Sequence, residues 1–183
     1  MTSNDTENQT AVLAGGCFWC TEAIFSHVKG VQSVIPGYTG GSKNNPTYEE
    51  VSNETTGHAE AVQIKFDPNL IAYEKIVEIF FATHDPTTIN RQGGDGGEQY
   101  RSAIFYQNED QQQTALAVKN QLGNDGIYSN PIVTQILPAE TFYPAEEYHH
   151  NYFEKNPDQQ YCQVVINPKI AKFRAKYQNL IKE

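Results

Sequence analysis

Hydrophobic and polar positions along this chain switch between a period of two and a period near 3.6, and the switches divide it into alternating strands and helices. The opening TAVLAGG reads as a short buried strand ending at a Gly-Gly turn. CFWCTEAIFSHV follows as a helix, with Phe18, Ile24, Phe25 and Val28 available to pack. VQSVIPGYTGG reads as a strand broken at Pro36 and Gly37, and NPTYEEV as a loop leading into a short helix. The clearest strand is HAEAVQIKFD: His58, Glu60, Val62, Ile64 and Phe66 share one face, and Ala59, Ala61, Gln63 and Lys65 the other. IAYEKIVEIFFATH predicts an amphipathic helix with Tyr73, Ile76, Val77 and Phe80 on its inner stripe.

A glycine-rich loop, NRQGGDGGEQ, leads into the strand RSAIFYQ. Residues 109–122 read as a helix through Ala115, Val118 and Leu122, and PIVTQILP as a further strand. KIAKFRAKYQNLI closes the chain as a helix with Ile170, Phe173, Tyr177 and Leu180 on one stripe. The alternation predicts an α/β (α+β) two-layer sandwich, a mixed sheet with flanking helices and a ferredoxin-like core; strand order does not follow from pattern. No repeat or linker divides the chain. Residues 1–10 read as a flexible N-terminal tail and 11–183 as a single catalytic domain.

With 13 basic against 22 acidic residues the net charge is -9, which argues against nucleic acid as a partner. No run of about 18 apolar residues exists, so no membrane span is expected. MTSNDTENQT lacks the apolar core of a signal peptide, and we expect a cytoplasmic protein, acting as a monomer. Three cysteines is an odd count, unlike a secreted disulfide framework. In a reducing compartment a close cysteine pair points instead to catalysis or metal binding.

That pair is Cys17 and Cys20, in Gly16-Cys17-Phe18-Trp19-Cys20, where a strand gives way to a helix. A thiol at a helix N-terminus meets unpaired N–H groups and the positive end of the dipole, which favour its thiolate. Cys17 is therefore the candidate nucleophile and Cys20, three residues on, its resolving partner; the alternative is two small buried residues beside a glycine turn. Phe18 and Trp19 suit either an apolar, sulfur-friendly pocket or the core. Glu60 shares the apolar face of its strand, where burial would raise its pKa and keep it a proton donor; a slip in strand parity would leave it in solvent. Asp95 lies among four glycines, open to a ligand or simply in a flexible turn. Tyr48 and Tyr100 read as ordinary packing aromatics. Cys162 alternates with Val164 and Ile166 in YCQVVI and reads as inert core. His149 and His150 are adjacent, so they point to different sides and make poor joint metal ligands.

GGCFWC, GHAEAVQIKFDP, HDPTTINRQGGDGGEQYRS and YHHNYF together resemble the A-type methionine sulfoxide reductases, with the motifs in family order from about residue 11 to about residue 175. The resemblance implies reduction of the S epimer of methionine sulfoxide, free or within proteins, with thioredoxin as reductant and neither metal nor organic cofactor. It puts the catalytic cysteine on Cys17, the acid on Glu60, and the tyrosines that bond the sulfoxide oxygen on Tyr48 and Tyr100. Asp95 matches a family aspartate, and Phe18 and Trp19 the wall around the substrate methyl group. The chain departs from the common GCFWG pattern at Cys20 and lacks a glycine-rich cysteine-bearing tail; the two departures together favour Cys20 for resolution, with Cys162 the second candidate. Competing readings are a thioredoxin-like disulfide oxidoreductase, a zinc-holding protein and a module that binds methionine sulfoxide without turnover.

Overall fold

The computed structural model describes residues 7–183. Its strands are β1 (Gln9–Gly15), β2 (Val31–Thr39), β3 (Ala59–Phe66), β4 (Arg91–Gln92), β5 (Asp95–Gly96), β6 (Ser102–Tyr106), β7 (Gln135–Pro138) and β8 (Tyr143–Pro144). Its helices are α1 (Phe18–Phe25), α2 (Tyr48–Ser52), α3 (Tyr73–Ala82), α4 (Glu109–Asn124), α5 (Tyr152–Lys155) and α6 (Asn167–Lys176). Six strands form one mixed sheet in the order β7-β6-β1-β3-β2-β8, antiparallel except where β7 runs parallel to β6. Its centre, β6-β1-β3-β2 with crossovers through α1 and α3, is the ferredoxin-like core expected from the sequence. β1 begins at Gln9, two residues inside the segment read as a tail; residues 1–6 of that segment lie outside the described residues.

Hydrophobic burial fixes the register. Val62, Ile64 and Phe66 of β3 and Leu13 of β1 face α1 and α3, where Phe25, Ile76 and Phe80 complete the main core. Each such side chain contributes roughly 1.5–3 kcal/mol on burial. A one-residue slip of β3 would move the whole set to the opposite face. There Val12, Ala14, Ala59, Ala61 and Ala103 are small enough for Leu137 and Phe142 to cover. Glu60 belongs to the first set by parity and is 1% exposed, so the strand carries a carboxyl into the core.

Three expectations need correcting. β2 runs unbroken through Pro36 and Gly37, which pair with Val62 and Ala61. Pro36 accepts from the Ala145 amide on the β8 side. In an extended strand the N–H and C=O of one residue point the same way, so its missing N–H also faces the two-residue edge strand and costs the β3 ladder nothing. The glycine-rich segment is no free turn: Arg91–Gln92 and Asp95–Gly96 pair as a hairpin about Gly93-Gly94. Cys162 is buried as expected, but in a π-helical turn, Cys162–Ile166, and Val164 is 64% exposed where a strand reading aligned the two.

Candidate active site

The end of β1 sets the position of Cys17. Gly16 has φ +95°, a conformation L side chains rarely adopt, and a Cβ there would come within 2.6 Å of the Gln92 side chain. That turn makes Cys17 the N-cap of α1, and the first helical amide, Phe18 N–H, donates to Glu60 Oε1 at 3.1 Å. Nucleophile candidate and acid candidate are thus joined through one helix N-terminus and one strand.

Burial pushes the Glu60 carboxyl up to about 8, and the charges of Asp95 and Cys20 add to the rise against the opposing Phe18 amide. The acid is therefore protonated at neutral pH, as the strand parity predicts. Cys17 departs from expectation. Burial, then its hydrogen bond to Cys20 and the charge of Glu60, raise its pKa well above that of a free thiol. A helix terminus offers about 0.3–1 kcal/mol, whereas full burial can shift a pKa by several units at ~1.4 kcal/mol each. Desolvation wins, and Cys17 rests as a thiol. Cys20 takes the low value of the pair, about 7: the hydrogen bond from Cys17 holds it down against its own burial, and the Lys169 charge helps.

The two tyrosines stand close enough to feel the same carboxyl. Burial raises Tyr48 to about 12 and raises Tyr100 also, with Glu60 the next cause in each case, so both hydroxyls remain donors. Tyr48 is set by a capping box, in which Thr47 Oγ1 accepts from Glu50 N–H and Glu50 Oε2 from Thr47 N–H. The Tyr48 amide then donates to Glu146 Oε2 at 3.0 Å, and Tyr38, paired with Glu60 across β2 and β3, donates its hydroxyl to Glu146 Oε1. Asp95 reaches the site from the hairpin and accepts from Tyr161 Oη at 2.7 Å.

The two aromatics after Cys17 divide. Phe18 is 1% exposed, packed against Tyr38 and His149 and as deeply buried as Glu60. Trp19 is half-buried, stacks on Tyr152 at 3.7 Å and 6°, and donates from Nε1 to His149 Nδ1 at 3.1 Å. That bond leaves the His149 proton on Nε2, and burial lowers its pKa, so the ring is neutral. Among the described residues no group of three or more His, Cys, Asp or Glu is arranged to hold a metal.

Sequence reasoning missed Tyr38, Glu146, Tyr152 and Tyr161. Glu146 stands in the same YPAEEYHHNYF stretch whose histidines drew attention, and Tyr161 beside Cys162; their chain neighbours were the only signal available. Two cavities, of about 560 and 820 Å³, border His84, Lys172 and Tyr177, and neither is lined by Cys17, Cys20 or Glu60. Chemistry, not volume, marks this site.

The peptide methionine sulfoxide reductase family profile matches residues 9–181. The chain is 54% identical to peptide methionine sulfoxide reductase MsrA of Deinococcus radiodurans over 92% of this chain and 82% of that one. It is 52% identical to the MsrA of Acinetobacter baumannii over 95% and 99%. Among solved structures, methionine sulfoxide reductase A of Corynebacterium diphtheriae superposes with a TM-score of 0.79 at 33% identity, covering 86% of this chain and 79% of that one. Reduced Mxr1 of Saccharomyces cerevisiae gives 0.78 at 31%, covering 88% and 92%. A buried acid, two phenolic donors and a thiol pair meeting at one helix N-terminus thus agree with likeness along nearly the whole chain: it belongs to the peptide methionine sulfoxide reductase family.

Proposed function

We propose that this enzyme reduces the S epimer of methionine sulfoxide, free or in proteins, with Cys17 as nucleophile, Glu60 as acid and Cys20 as resolving thiol. The observation that carries the reading is the protonated Glu60, held by the Phe18 amide beside the Cys17 thiol. Sulfoxide oxygen leaves sulfur only once it is protonated. Glu60 gives its proton to that oxygen as Cys17 attacks the sulfur, and takes the proton that Cys17 sheds. Tyr48 and Tyr100 hold the oxygen by hydrogen bonds that strengthen as charge develops on it. The attack joins Cys17 Sγ to the substrate sulfur; the hydroxyl then passes to Cys17 Sγ as that S–S bond and the old S–O bond break, leaving methionine and a Cys17 sulfenic acid. Phe18 and Trp19, the latter stacked on Tyr152, supply the apolar surface for the substrate methyl group, and Asp95, bonded to Tyr161, lines the same site.

Cys20 then condenses with the sulfenic acid, closing a Cys17–Cys20 disulfide and releasing water. A thioredoxin-type protein dithiol reopens it by exchange. Yeast Mxr1, whose fold this chain shares, has been solved in complex with Trx2. Among the described residues no helix is long and apolar enough to cross a membrane. We place the enzyme in the cytoplasm, where a disulfide that must be reopened at every turnover meets reducing thiols, and assign it to repair of oxidised proteins.

The test is a titration of free thiols after one dose of methionine S-sulfoxide without reductant. Loss of two thiols with about one methionine released per chain supports the scheme. No methionine released overturns it.

A further inference from the structure

Tyr161 immediately precedes the π-turn Cys162–Ile166, 141 residues along the chain from Cys20. Its hydroxyl donates to Asp95 Oδ2 at 2.7 Å and lies 3.7 Å from Cys20 Sγ. Its ring meets Trp19 edge-on, with centroids 5.7 Å apart. Three distant segments, the hairpin, α1 and the approach to α6, therefore meet at one phenolic oxygen.

A phenol carries one proton. While that proton is on Asp95, the oxygen can only accept, and the thiols of Cys20 and of Cys17 beside it are the donors within reach. Once Cys20 is a thiolate, the proton can turn toward sulfur, and the hydroxyl stabilises the anion. Resting on the reading that Cys20 resolves the Cys17 sulfenic acid, we propose that Tyr161 is the positioning residue of the resolving step. Held by Asp95 in the resting enzyme, its hydroxyl aims Cys20 Sγ at Cys17, and it turns its proton to the attacking thiolate as the step proceeds. In that step an S–S bond forms between Cys20 and Cys17 and the S–O bond of the sulfenic acid breaks. The oxygen leaves as water with the proton that Cys20 gave up, so one thiol is oxidised as the sulfenic acid is reduced and no outside oxidant enters.

The electrostatics agree with a donor rather than a base. Burial, followed by the charges of both thiols, raises the Tyr161 pKa, so the phenol is never ionised in working conditions. Its hydrogen bond is also among the influences that lower Cys20, after Cys17 and Lys169. The role depends on Cys20, the residue at which this chain departs from GCFWG.

Tyr161→Phe tests the proposal, because it keeps the ring against Trp19 and removes only the hydroxyl. After one dose of methionine S-sulfoxide without reductant, methionine release and thiol loss are followed in time, with dimedone trapping sulfenic acid. We expect thiol loss to slow at least about tenfold more than methionine release, one charge-assisted hydrogen bond being worth a factor of that size, with a dimedone adduct accumulating on Cys17. In a Cys17→Ser background, the same change should move the pH midpoint of Cys20 alkylation up by about one unit, a readout that a purely structural role would leave in place. Equal slowing of both steps, or an unmoved midpoint, overturns the proposal. Absence of methionine release from the unmodified enzyme would instead overturn the reductase scheme, so the two failures are distinguishable.

Discussion

Phe18 and Glu60 are 42 residues apart in the chain and 3.1 Å apart in space, the amide of one donating to the carboxyl of the other. The contact ties the first turn of α1 to the middle strand of the core, so the thiol at the N-cap and the acid on β3 cannot move independently. A hydrogen bond from a backbone N–H favours a carboxylate, yet burial outweighs it and the acid stays protonated to about pH 8.

Glu60→Gln keeps shape and burial and removes the transferable proton. Methionine release in a single turnover should fall roughly 10²–10⁴-fold, the usual range for a general acid. In the unmodified enzyme the same rate should be level below about pH 8 and fall as pH rises through it, because the reacting form carries protons on both Glu60 and Cys17. A Gln variant that releases methionine at the unmodified rate would remove Glu60 from the mechanism.

Stability should carry the same signature. The folded-state pKa of Glu60 is raised from 4.5 to about 8, so between those values the native state holds a proton that the unfolded chain has lost. Its contribution is present in full below about pH 4.5 and is lost as pH rises through 8, to the order of 5 kcal/mol at ~1.4 kcal/mol per unit. Urea denaturation of the unmodified enzyme should show that decline, and Glu60→Gln should flatten it. Identical slopes in the two proteins would mean that Glu60 does not titrate as the burial implies.

Much of this arrangement is legible in the sequence, and the rest fails for identifiable reasons. The parity of β3 reveals Glu60 because a central strand buries one whole face. Pro36 misleads because only the edge of the sheet lacks its N–H. The alternation at Cys162 misleads because a π-turn can carry it as well as a strand. A helix N-terminus suggests a Cys17 thiolate, but pattern says nothing of how deeply the thiol is buried, and depth decides. Glu146, Tyr152 and Tyr161 are invisible because each acts across about 100 residues or more of chain.

The thiols should separate by variant. Cys20→Ser should still release about one methionine per chain, while thiol loss drops from two to one and the sulfenic acid persists. Cys162→Ser should lose two thiols as before, since Cys162 is fully buried within the π-turn. In the resting enzyme, mass mapping after brief alkylation near pH 7 should find Cys20 labelled before Cys17, because Cys20 holds the lowered pKa of the pair. Two thiols lost from the Cys20→Ser variant would transfer resolution to Cys162.

Gly16→Ala should destabilise the fold at the point where the site is built. The new Cβ would meet Gln92 Cγ at 2.6 Å and Cβ at 2.8 Å, in a backbone with φ +95°. Gln92 cannot swing away cheaply. It is 8% exposed, its Oε1 accepts from Asp85 N–H at 2.7 Å and its Nε2 donates to Asp85 O at 2.9 Å. Strain at a positive φ costs about 1–3 kcal/mol, and overpacking about as much again. At roughly 2–4 °C per kcal/mol for a chain of this size, the melting temperature should fall by about 4–24 °C. Because Cys17 follows directly, methionine release should fall with it even at temperatures where the variant is folded. A variant with the unmodified melting temperature and rate would mean that the turn relaxes without moving the thiol.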